Sequence, residues 1–296
     1  MRPQEQEPAD HGMNESAEGG VRNERLEAAA KLLGDDSPLV RSALFREFRG
    51  AGRLGQSILQ RAEKSDDAHM RSHARSILNS LRQEEVVRRL HRFAAAGVTD
   101  LESALFKMAR LDLPELDSRP YVKALDAMAK EIDVRSRHLT DDLSRGQVLV
   151  DYLGRELGYR GNLDSYTNPD NIHFHRVIES KQGLPLSLCA LYSFVADRCS
   201  IQTGIVPLPG HVMLRLYGRQ QNLIVDPFHG GESKTQEDLI AYLKQHGLQF
   251  NPIWLHDASP KALFLRQLSN LQNSWRAIGQ NRRSARLNSL IQQLAN

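Results

Sequence analysis

Apolar residues recur every three or four positions between Asp36 and about Leu90, which is the spacing of one face of an α-helix. Within this region the stretch DDSPLVRSALFREF is echoed by DDAHMRSHARSIL. Such an echo is typical of HEAT-type helical repeats, and a plain helical bundle would also produce it. The pattern therefore predicts a HEAT-like helical region over residues 23–95. The polar residues 1–22 before it are predicted to form a disordered tail.

Three more helices are predicted after this region. The stretches TDLESALFKMARL, SRPYVKALDAMAKEIDVR and DDLSRGQVLVDYLGREL all place apolar residues on a helical period. The next stretch, GYRGNLDSYTNPDN, interrupts that period with glycine, asparagine and proline. These residue types favour a long structured loop.

The period changes in the following part of the chain. A helix is predicted over LSLCALYSFVADRCS, and HVMLRLY then places Val212, Leu214 and Leu216 on one face, which is the period of a β-strand. A second strand, NLIVDPF, follows the polar turn GRQQ. A helix followed by a small antiparallel sheet indicates an α+β fold. Residues 96–258 are predicted to form this core with its preceding helices, and residues 259–296 a C-terminal helical hairpin.

A hairpin formed by HVMLRLY and NLIVDPF would bring a histidine and an aspartate together. Across a turn of two or four residues Met213 faces Asp226, and His211 lies diagonal to Asp226 on the same face. A three-residue turn would break this register. A carboxylate beside an imidazole fixes its tautomer and favours its charged form, as a catalytic base requires. Each residue also has a non-catalytic interpretation when it is taken alone. His211 can be a structural histidine, and Asp226 can begin an Asp-Pro turn.

The composition narrows the classes of function. Of the 296 residues 40% are hydrophobic and 25% are charged, as in ordinary globular proteins. The net charge of +3 is small, and no dense Lys/Arg stripe accompanies it, so we expect no nucleic-acid partner. The two cysteines, Cys189 and Cys199, are too few for a disulfide scaffold and fit a reducing compartment. No apolar run reaches signal-peptide or membrane-spanning length, so we expect a cytoplasmic protein without membrane association.

The stretch NIHFH raises the question of a metal site. His173 and His175 stand two residues apart and could share a metal with His211 or His229. No cysteine or carboxylate spacing supports such a site, and His-x-His is common by chance. The glycines of FHGGES lack the strand–loop–helix context of a phosphate site. We therefore expect neither a metal nor a cofactor.

Three motifs together carry a family resemblance: GLPLSLCALYSFVADR, PGHVMLRLY and VDPFHGG. In this order and spacing they resemble the SirB branch of the transglutaminase-like superfamily, as does the upstream LGYRGNLDSYTNPDN. The resemblance covers residues 99–296 and includes a tetratricopeptide-like C-terminal tail. It implies a papain-like core with a catalytic cysteine at a helix N-terminus, a strand bearing histidine and a strand bearing aspartate. By this resemblance His211 matches the catalytic histidine and Asp226 the catalytic aspartate.

The departure from the superfamily lies at the cysteine. The resemblance implies a thiol at position 185, where this chain has Pro185, a form that the SirB branch itself commonly shows. Ser187 and Cys189 are the two nearby substitutes, and a rotation of about 200° around the helix axis separates them, so only one can face the histidine. Ser187 is alternatively a helix cap, and Cys189 a small apolar core residue.

Two classes of function follow. The first, which we favour, is a non-catalytic protein-binding or regulatory module that has lost the thiol and binds another protein along its helical flanks. The second is an acyl-transfer enzyme, either a peptidase or amidase or a transglutaminase-like enzyme. Its nucleophile would be Ser187 or Cys189, its base His211 and its orienting carboxylate Asp226. The sequence leaves open whether any catalysis survives.

Overall fold

The computed structural model describes the backbone of residues 12–295 and the side chains of residues 20–295. The chain forms two units, residues 1–85 and 86–296. Residues 1–11 of the predicted tail lie outside the described residues, and residues 12–22 belong to the first helix rather than to a tail. None of the described helices combines the length and the apolar character needed to cross a bilayer.

The first unit is helical, as its sequence pattern predicts. Its helices are α1 (Gly12–Ala30), α2 (Pro38–Gly50), α3 (Gly52–Ala62) and the start of α4 (Ala68–Ala95), within which the division between the units falls. Helices α1, α2 and α3 pack pairwise around Phe48 and Leu59, both fully buried. The HEAT-like nature of this unit stays a prediction.

The second unit opens with four helices and a short parallel strand pair. Helices α5 (Leu101–Ala109), α6 (Arg119–Ser136) and α7 (Asp142–Val150) correspond to the three predicted helices, and α7 runs into a π-helical turn, Asp151–Glu156. The predicted long loop contains strand β1 (Arg160–Gly161). Helix α8 (Phe174–Ser180) comes next, and β2 (Gln182–Gly183) pairs with β1.

The remaining elements form the sheet and its helical cover. Helix α9 (Pro185–Arg198) precedes a four-stranded antiparallel sheet whose strands lie side by side in chain order. These strands are β3 (Thr203–Leu208), β4 (His211–Leu216), β5 (Leu223–Asp226) and β6 (Glu232–Lys234). The helices that follow are α10 (Gln236–Gln245), α11 (Pro260–Ala277), α12 (Asn281–Arg286) and α13 (Asn288–Ala295). This is an α+β fold with a small antiparallel sheet among helices, as predicted.

Helix α9 is the centre of the second unit. Its buried residues run without interruption from Pro185 to Tyr192 and resume over Phe194–Ala196. A helix that is apolar on every side must be covered on every side. Strands β3 and β4 cover one side, and helices α5, α6, α7, α8 and α11 cover the others.

The predicted register of the β4–β5 hairpin is confirmed. Leu214 pairs with Val225 and Leu216 with Leu223, which places Met213 opposite Asp226 one step further along. The predicted turn of two or four residues is wrong, because the connection runs over residues 217–222. The β4–β5 ladder ends at the pair of Leu216 and Leu223, whereas the Tyr217 N–H donates to the Gln202 carbonyl and continues the pairing of β4 with the β3 side. An even number of residues still separates the strands, so each side chain keeps its predicted face.

Gly154, in the π-helical turn, permits a close backbone approach. A Cβ at this position would overlap the carbonyl oxygen of Gly230 and would come within 2.8 Å of the Tyr192 hydroxyl. Gly230 follows the 3₁₀ turn Pro227–His229, which leaves the end of β5. Because Gly154 has no side chain, the segment after Asp226 can lie directly against the π-helical turn.

We expect Gly154→Ala to lower the free energy of unfolding by about 1–3 kcal/mol, because a backbone carbonyl cannot rotate away as a side chain can. Gly146→Ala is the matched control in the preceding helix, since its Cβ would meet only the end of the Leu216 side chain. Alanine also favours helix there, so we expect a change within about 1 kcal/mol. Urea unfolding of both variants tests this. Equal losses for the two variants would contradict the importance of the Gly154–Gly230 approach.

Candidate functional site

The structure brings His211 and Asp226 together at one end of the sheet. His211 is the first residue of β4 and Asp226 the last of β5, and the observed register places them diagonally. His211 Nε2 lies 2.9 Å from Asp226 Oδ2, a hydrogen bond in which the imidazole N–H donates. Both side chains are buried. The pairing expected from the sequence is therefore present, with Nδ1 of His211 left for another partner.

The Asp226 carboxylate is held by three donors. Its Oδ1 accepts the Phe228 backbone N–H at 3.0 Å, while Oδ2 accepts from His211 and also from His229 Nδ1 at 2.7 Å. Burial opposes ionisation of Asp226, but the hydrogen bonds and charges of His211 and His229 outweigh it and hold its pKa below the usual range. The site thus contains a stable buried carboxylate.

His229 belongs to this site, although the sequence pairs it only with His173 and His175 as a possible metal ligand. It ends the Pro227–His229 turn, and its side chain is 47% exposed. Pro227 starts the turn after Asp226, and the three-residue spacing returns the imidazole to the carboxylate. The signal in the sequence was Asp-Pro-x-His, which predicts a tight turn with its first and last side chains close together.

Pro185 occupies the first turn of α9, where the superfamily resemblance implies a cysteine. The N-cap residue, Leu184, makes no side-chain capping bond. Proline suits this position because it lacks the N–H that would have no partner within the helix. It supplies neither a nucleophile nor an N–H donor for an anion.

Cys189 lies one helical turn beyond Pro185, on the same face of α9. Its side chain is fully buried, and its thiol donates to the Val212 carbonyl on β4 at 3.5 Å. Burial, and then the negative charge of Asp226, raise the pKa of this thiol well above its ordinary value. The environment therefore favours the neutral thiol and not the thiolate that attacks acyl groups.

Ser187 faces a different part of the protein from Cys189. Its hydroxyl donates to the Asn171 carbonyl at 2.8 Å and accepts from Gln267 Nε2 of α11 at 2.7 Å. Ser187 and Gln267 are both fully buried. The interpretation of Ser187 as a helix cap is wrong, because Leu184 is the N-cap residue and the Ser187 hydroxyl is used in long-range bonds. It connects α9 to the preceding loop and to α11.

His173 and His175 take no part in the His211–Asp226 cluster. Both are buried, and within the described residues none of their ring nitrogens has a hydrogen-bond partner. Burial lowers the pKa of His173 to about 4 and lowers that of His175 as well, so both rings are neutral at neutral pH. His173 packs against Trp275 and His175 against Tyr121. They act as core side chains.

A cavity of about 290 Å³ opens beside the cluster, between the ends of the strands and α10. His211, Asp226 and His229 line one side, and Tyr242 and Gln245 of α10 line another. One ligand-type atom from each of His211, Asp226 and His229 lies within 4.8 Å of the other two, which is the one such group among the described residues. Two imidazoles and a carboxylate are a donor set that suits a divalent metal ion.

Arg266 of α11 fixes the start of β4. Its guanidinium donates to the carbonyls of Leu208 and His211, at 3.0 and 2.9 Å. The guanidinium thereby joins both strands of the β3–β4 hairpin to α11 at the position of His211. The backbone that carries the imidazole is thus held from outside the sheet.

Comparison with known proteins places these residues in a family. Residues 119–269, just over half of the chain, match the model of the transglutaminase-like superfamily. This range contains Pro185, His211 and Asp226. No solved structure matches the chain.

Several curated proteins are similar to this chain. A UPF0162 protein of Xylella fastidiosa (strain 9a5c) is 30% identical over 146 residues, which are 49% of this chain and 52% of that protein. Protein SirB1 of Salmonella typhimurium is 26% identical over 139 residues, 47% of this chain and 50% of that protein. F-box only protein 21 of Homo sapiens is 26% identical over 128 residues, 40% of this chain and 19% of that protein.

The chain spans about half the length of these two bacterial relatives, the Xylella protein and SirB1. The family match covers the α9 motif, the β4 histidine and the β5 aspartate, which are the motifs that carry the resemblance in the sequence. The chain belongs to the transglutaminase-like superfamily and, within it, to the SirB branch.

Proposed function

We propose that this protein is a transglutaminase-like module without acyl-transfer chemistry, and that it binds another protein through its N-terminal helical unit. The observation that carries the first part is the first turn of α9, where Pro185 stands in place of a thiol. Covalent acyl transfer requires a nucleophile within reach of the base. His211 and Asp226 are present without that third member.

Cys189 is a poor substitute for the missing nucleophile. A reactive cysteine is partly exposed and has a lowered pKa, because a nearby positive charge favours the thiolate. Cys189 is fully buried, and the nearby carboxylate of Asp226 raises its pKa further. Each unit by which the pKa rises costs about a factor of ten in thiolate at neutral pH. The electrostatics of the site thus oppose the reaction.

Ser187 is a poor substitute for a different reason. Its hydroxyl must leave two buried partners, Asn171 and Gln267, before it can attack a substrate. A buried polar group left without a partner costs about 1–3 kcal/mol. The serine–glutamine pair supports a structural role for this hydroxyl.

The acyl-transfer alternative rests on the His211–Asp226 pair. The hydrogen bond of 2.9 Å orients the imidazole as a base requires. A binding pocket can hold the same pair without catalysis, so the pair alone does not decide between the two functions. The reactivity of Cys189 and Ser187 does decide.

The N-terminal unit offers a surface for a partner protein. A groove of about 610 Å³ lies between α2 and α4, with Phe45 and Ile77 on its walls and Arg41 and Arg46 among its lining residues. No carboxylate lines this groove, and neither arginine makes an ion pair with a described residue. Apolar walls beside cations that have no carboxylate partner in the described part of the chain suit an acidic amphipathic helix.

A cytoplasmic location forms part of the same proposal. Both cysteines are free thiols in the structure. Free thiols persist where glutathione and thioredoxin keep the compartment reducing.

We expect the folded protein to label slowly with a maleimide at neutral pH, and His211→Ala to label at the same slow rate. Raising the pH to about 9 should change little, because burial raises the pKa of Cys199 to about 12 and that of Cys189 well above its ordinary value. Intact-mass spectrometry measures both rates, with the chain unfolded in guanidinium as the positive control. Rapid labelling at Cys189, or fluorophosphonate labelling at Ser187, that is lost in His211→Ala would establish the acyl-transfer alternative.

We expect Ser187→Ala to lower the free energy of unfolding by about 1–3 kcal/mol, because it removes two buried hydrogen bonds at about 0.5–1.5 kcal/mol each. The Asn171 carbonyl and the Gln267 amide keep one other partner each, the Leu184 N–H and the Ile172 carbonyl. A double-mutant cycle with Gln267→Met should give a coupling of about 0.5–3 kcal/mol. The control is Ser269→Ala on α11, whose hydroxyl bonds only within its helix and whose loss should cost at most about 0.5 kcal/mol. Additive effects of Ser187→Ala and Gln267→Met would contradict the structural role.

We expect a photo-crosslinker at position 42, on the rim of the groove, to capture a defined protein in a bacterial lysate. Charge reversal by Arg41→Glu with Arg46→Glu should lower the yield by about tenfold, because the partner segment is acidic. Arg53→Glu, an exposed change on α3, serves as the control and should leave the yield unchanged. A cross-link that survives the double reversal, or no cross-link at all, would count against binding in this groove.

A further inference from the structure

Two imidazoles converge on one oxygen of a buried carboxylate. His211 Nε2 lies 2.9 Å and His229 Nδ1 2.7 Å from the same atom, Asp226 Oδ2. A base needs only one carboxylate to orient it, so an acyl-transfer site accounts for His211 and Asp226 but leaves His229 unexplained. The second imidazole points to another ligand for the group.

The surroundings of the Asp226 carboxylate also suit a cation. Asp226 is buried, and its hydrogen-bond partners are the two imidazoles and the Phe228 N–H. Lys234 lies nearby on the cavity wall, but its ammonium is paired with Glu232 at 2.7 Å. A buried carboxylate oxygen that faces two imidazole nitrogens offers a cation both a negative charge and two further ligand atoms.

We propose that His211, Asp226 and His229 bind one divalent transition-metal ion, with zinc as the best fit. Two imidazole nitrogens and one carboxylate oxygen form a set of three protein ligands that zinc accepts, with a fourth position open. The three atoms lie within 4.8 Å of one another and come from a strand start, a strand end and a tight turn. The proposal is independent of the N-terminal groove, and either can fail without the other.

The observed distances are those of hydrogen bonds, and the change needed for metal binding is small. Ligand atoms around a tetrahedral zinc ion stand about 3.3 Å apart, given bonds of about 2.0–2.1 Å. The present separations of 2.9 and 2.7 Å must therefore open by about half an ångström. His229 is half exposed and can rotate to allow this.

A metal ion binds the unprotonated nitrogen of an imidazole, so each ring must present its Asp226-facing nitrogen without a proton. Each ring releases the N–H that now points at Asp226 and carries its proton on the opposite nitrogen, Nδ1 of His211 or Nε2 of His229. Those nitrogens have no hydrogen-bond partner among the described residues, so the tautomeric change breaks no other bond. The Phe228 N–H continues to orient the carboxylate through Oδ1, as an outer-sphere partner of a metal site does.

The open position would face the cavity beside α10. This cavity of about 290 Å³ has room for water or a small carboxylate beside the cluster. Gln245 also lines this cavity, and its amide is a polar group that such a ligand could meet. The expected occupant is thus a zinc ion that keeps one exchangeable ligand.

Titration calorimetry with ZnCl₂ on the metal-free full-length chain tests the proposal. We expect one site per chain in wild type and a loss of affinity of about 100-fold or more in His229→Ala, which removes one of three ligands. His246→Ala is the control, since His246 is an exposed histidine on the same side of the protein, bonded only to the Tyr242 carbonyl and ring. Zinc should also raise the melting temperature of wild type and of His246→Ala, but not that of His229→Ala.

A second variant and a spectroscopic readout keep the test decisive. If His229→Ala without metal melts below wild type, Asp226→Asn, which keeps the shape of the side chain, replaces it in the titration. Zinc X-ray absorption should show nitrogen and oxygen ligands at about 2.0–2.1 Å and no sulfur at about 2.3 Å. A sulfur shell, equal binding by the ligand variants, or no one-to-one binding at micromolar zinc would overturn the site.

Discussion

The burial of α9 on all sides is the constraint on which the second unit depends. This helix carries Pro185, Ser187 and Cys189, and the sheet and five helices pack around it. Burial begins at the first turn, where Pro185 and Ser187 are already covered. A nucleophile at Ser187 or Cys189 could reach a substrate only if the packing around the helix opened, and close packing makes such an opening costly.

Much of this architecture was predictable from the sequence, because it follows from periodicity. The helical and strand periods gave the α+β fold, and an even turn gave the diagonal of His211 and Asp226. The length of that turn was not predictable, because alternating residue types do not show that the ladder stops at Leu216 and Leu223 and leaves Tyr217 and Asn222 in the connection.

The candidate site was predictable only in part. His211 and Asp226 are separated by a hairpin, so strand register was enough to pair them. The sequence offered Ser187 as a nucleophile or as a helix cap, and its actual partners, Asn171 and Gln267, could not be predicted because they are distant in sequence. His229 joins the cluster through the Pro227 turn, and recognising it required the geometry of that turn as well as the residue types.

The π-helical turn has a consequence for the tolerance of this chain to insertions and deletions. In Asp151–Glu156 the hydrogen bonds span five residues, as in the bond from Leu157 to Tyr152, so the turn holds one residue more than an α-helical turn. Deleting any one residue there would restore the α-helical repeat and rotate all that follows by about 100°. Where the deleted residue precedes Gly154, Arg155 would take the place of the glycine and its side chain would meet the Gly230 carbonyl. The length of this segment is thus as restricted as its composition, although the segment lies outside the cluster of His211, Asp226 and His229.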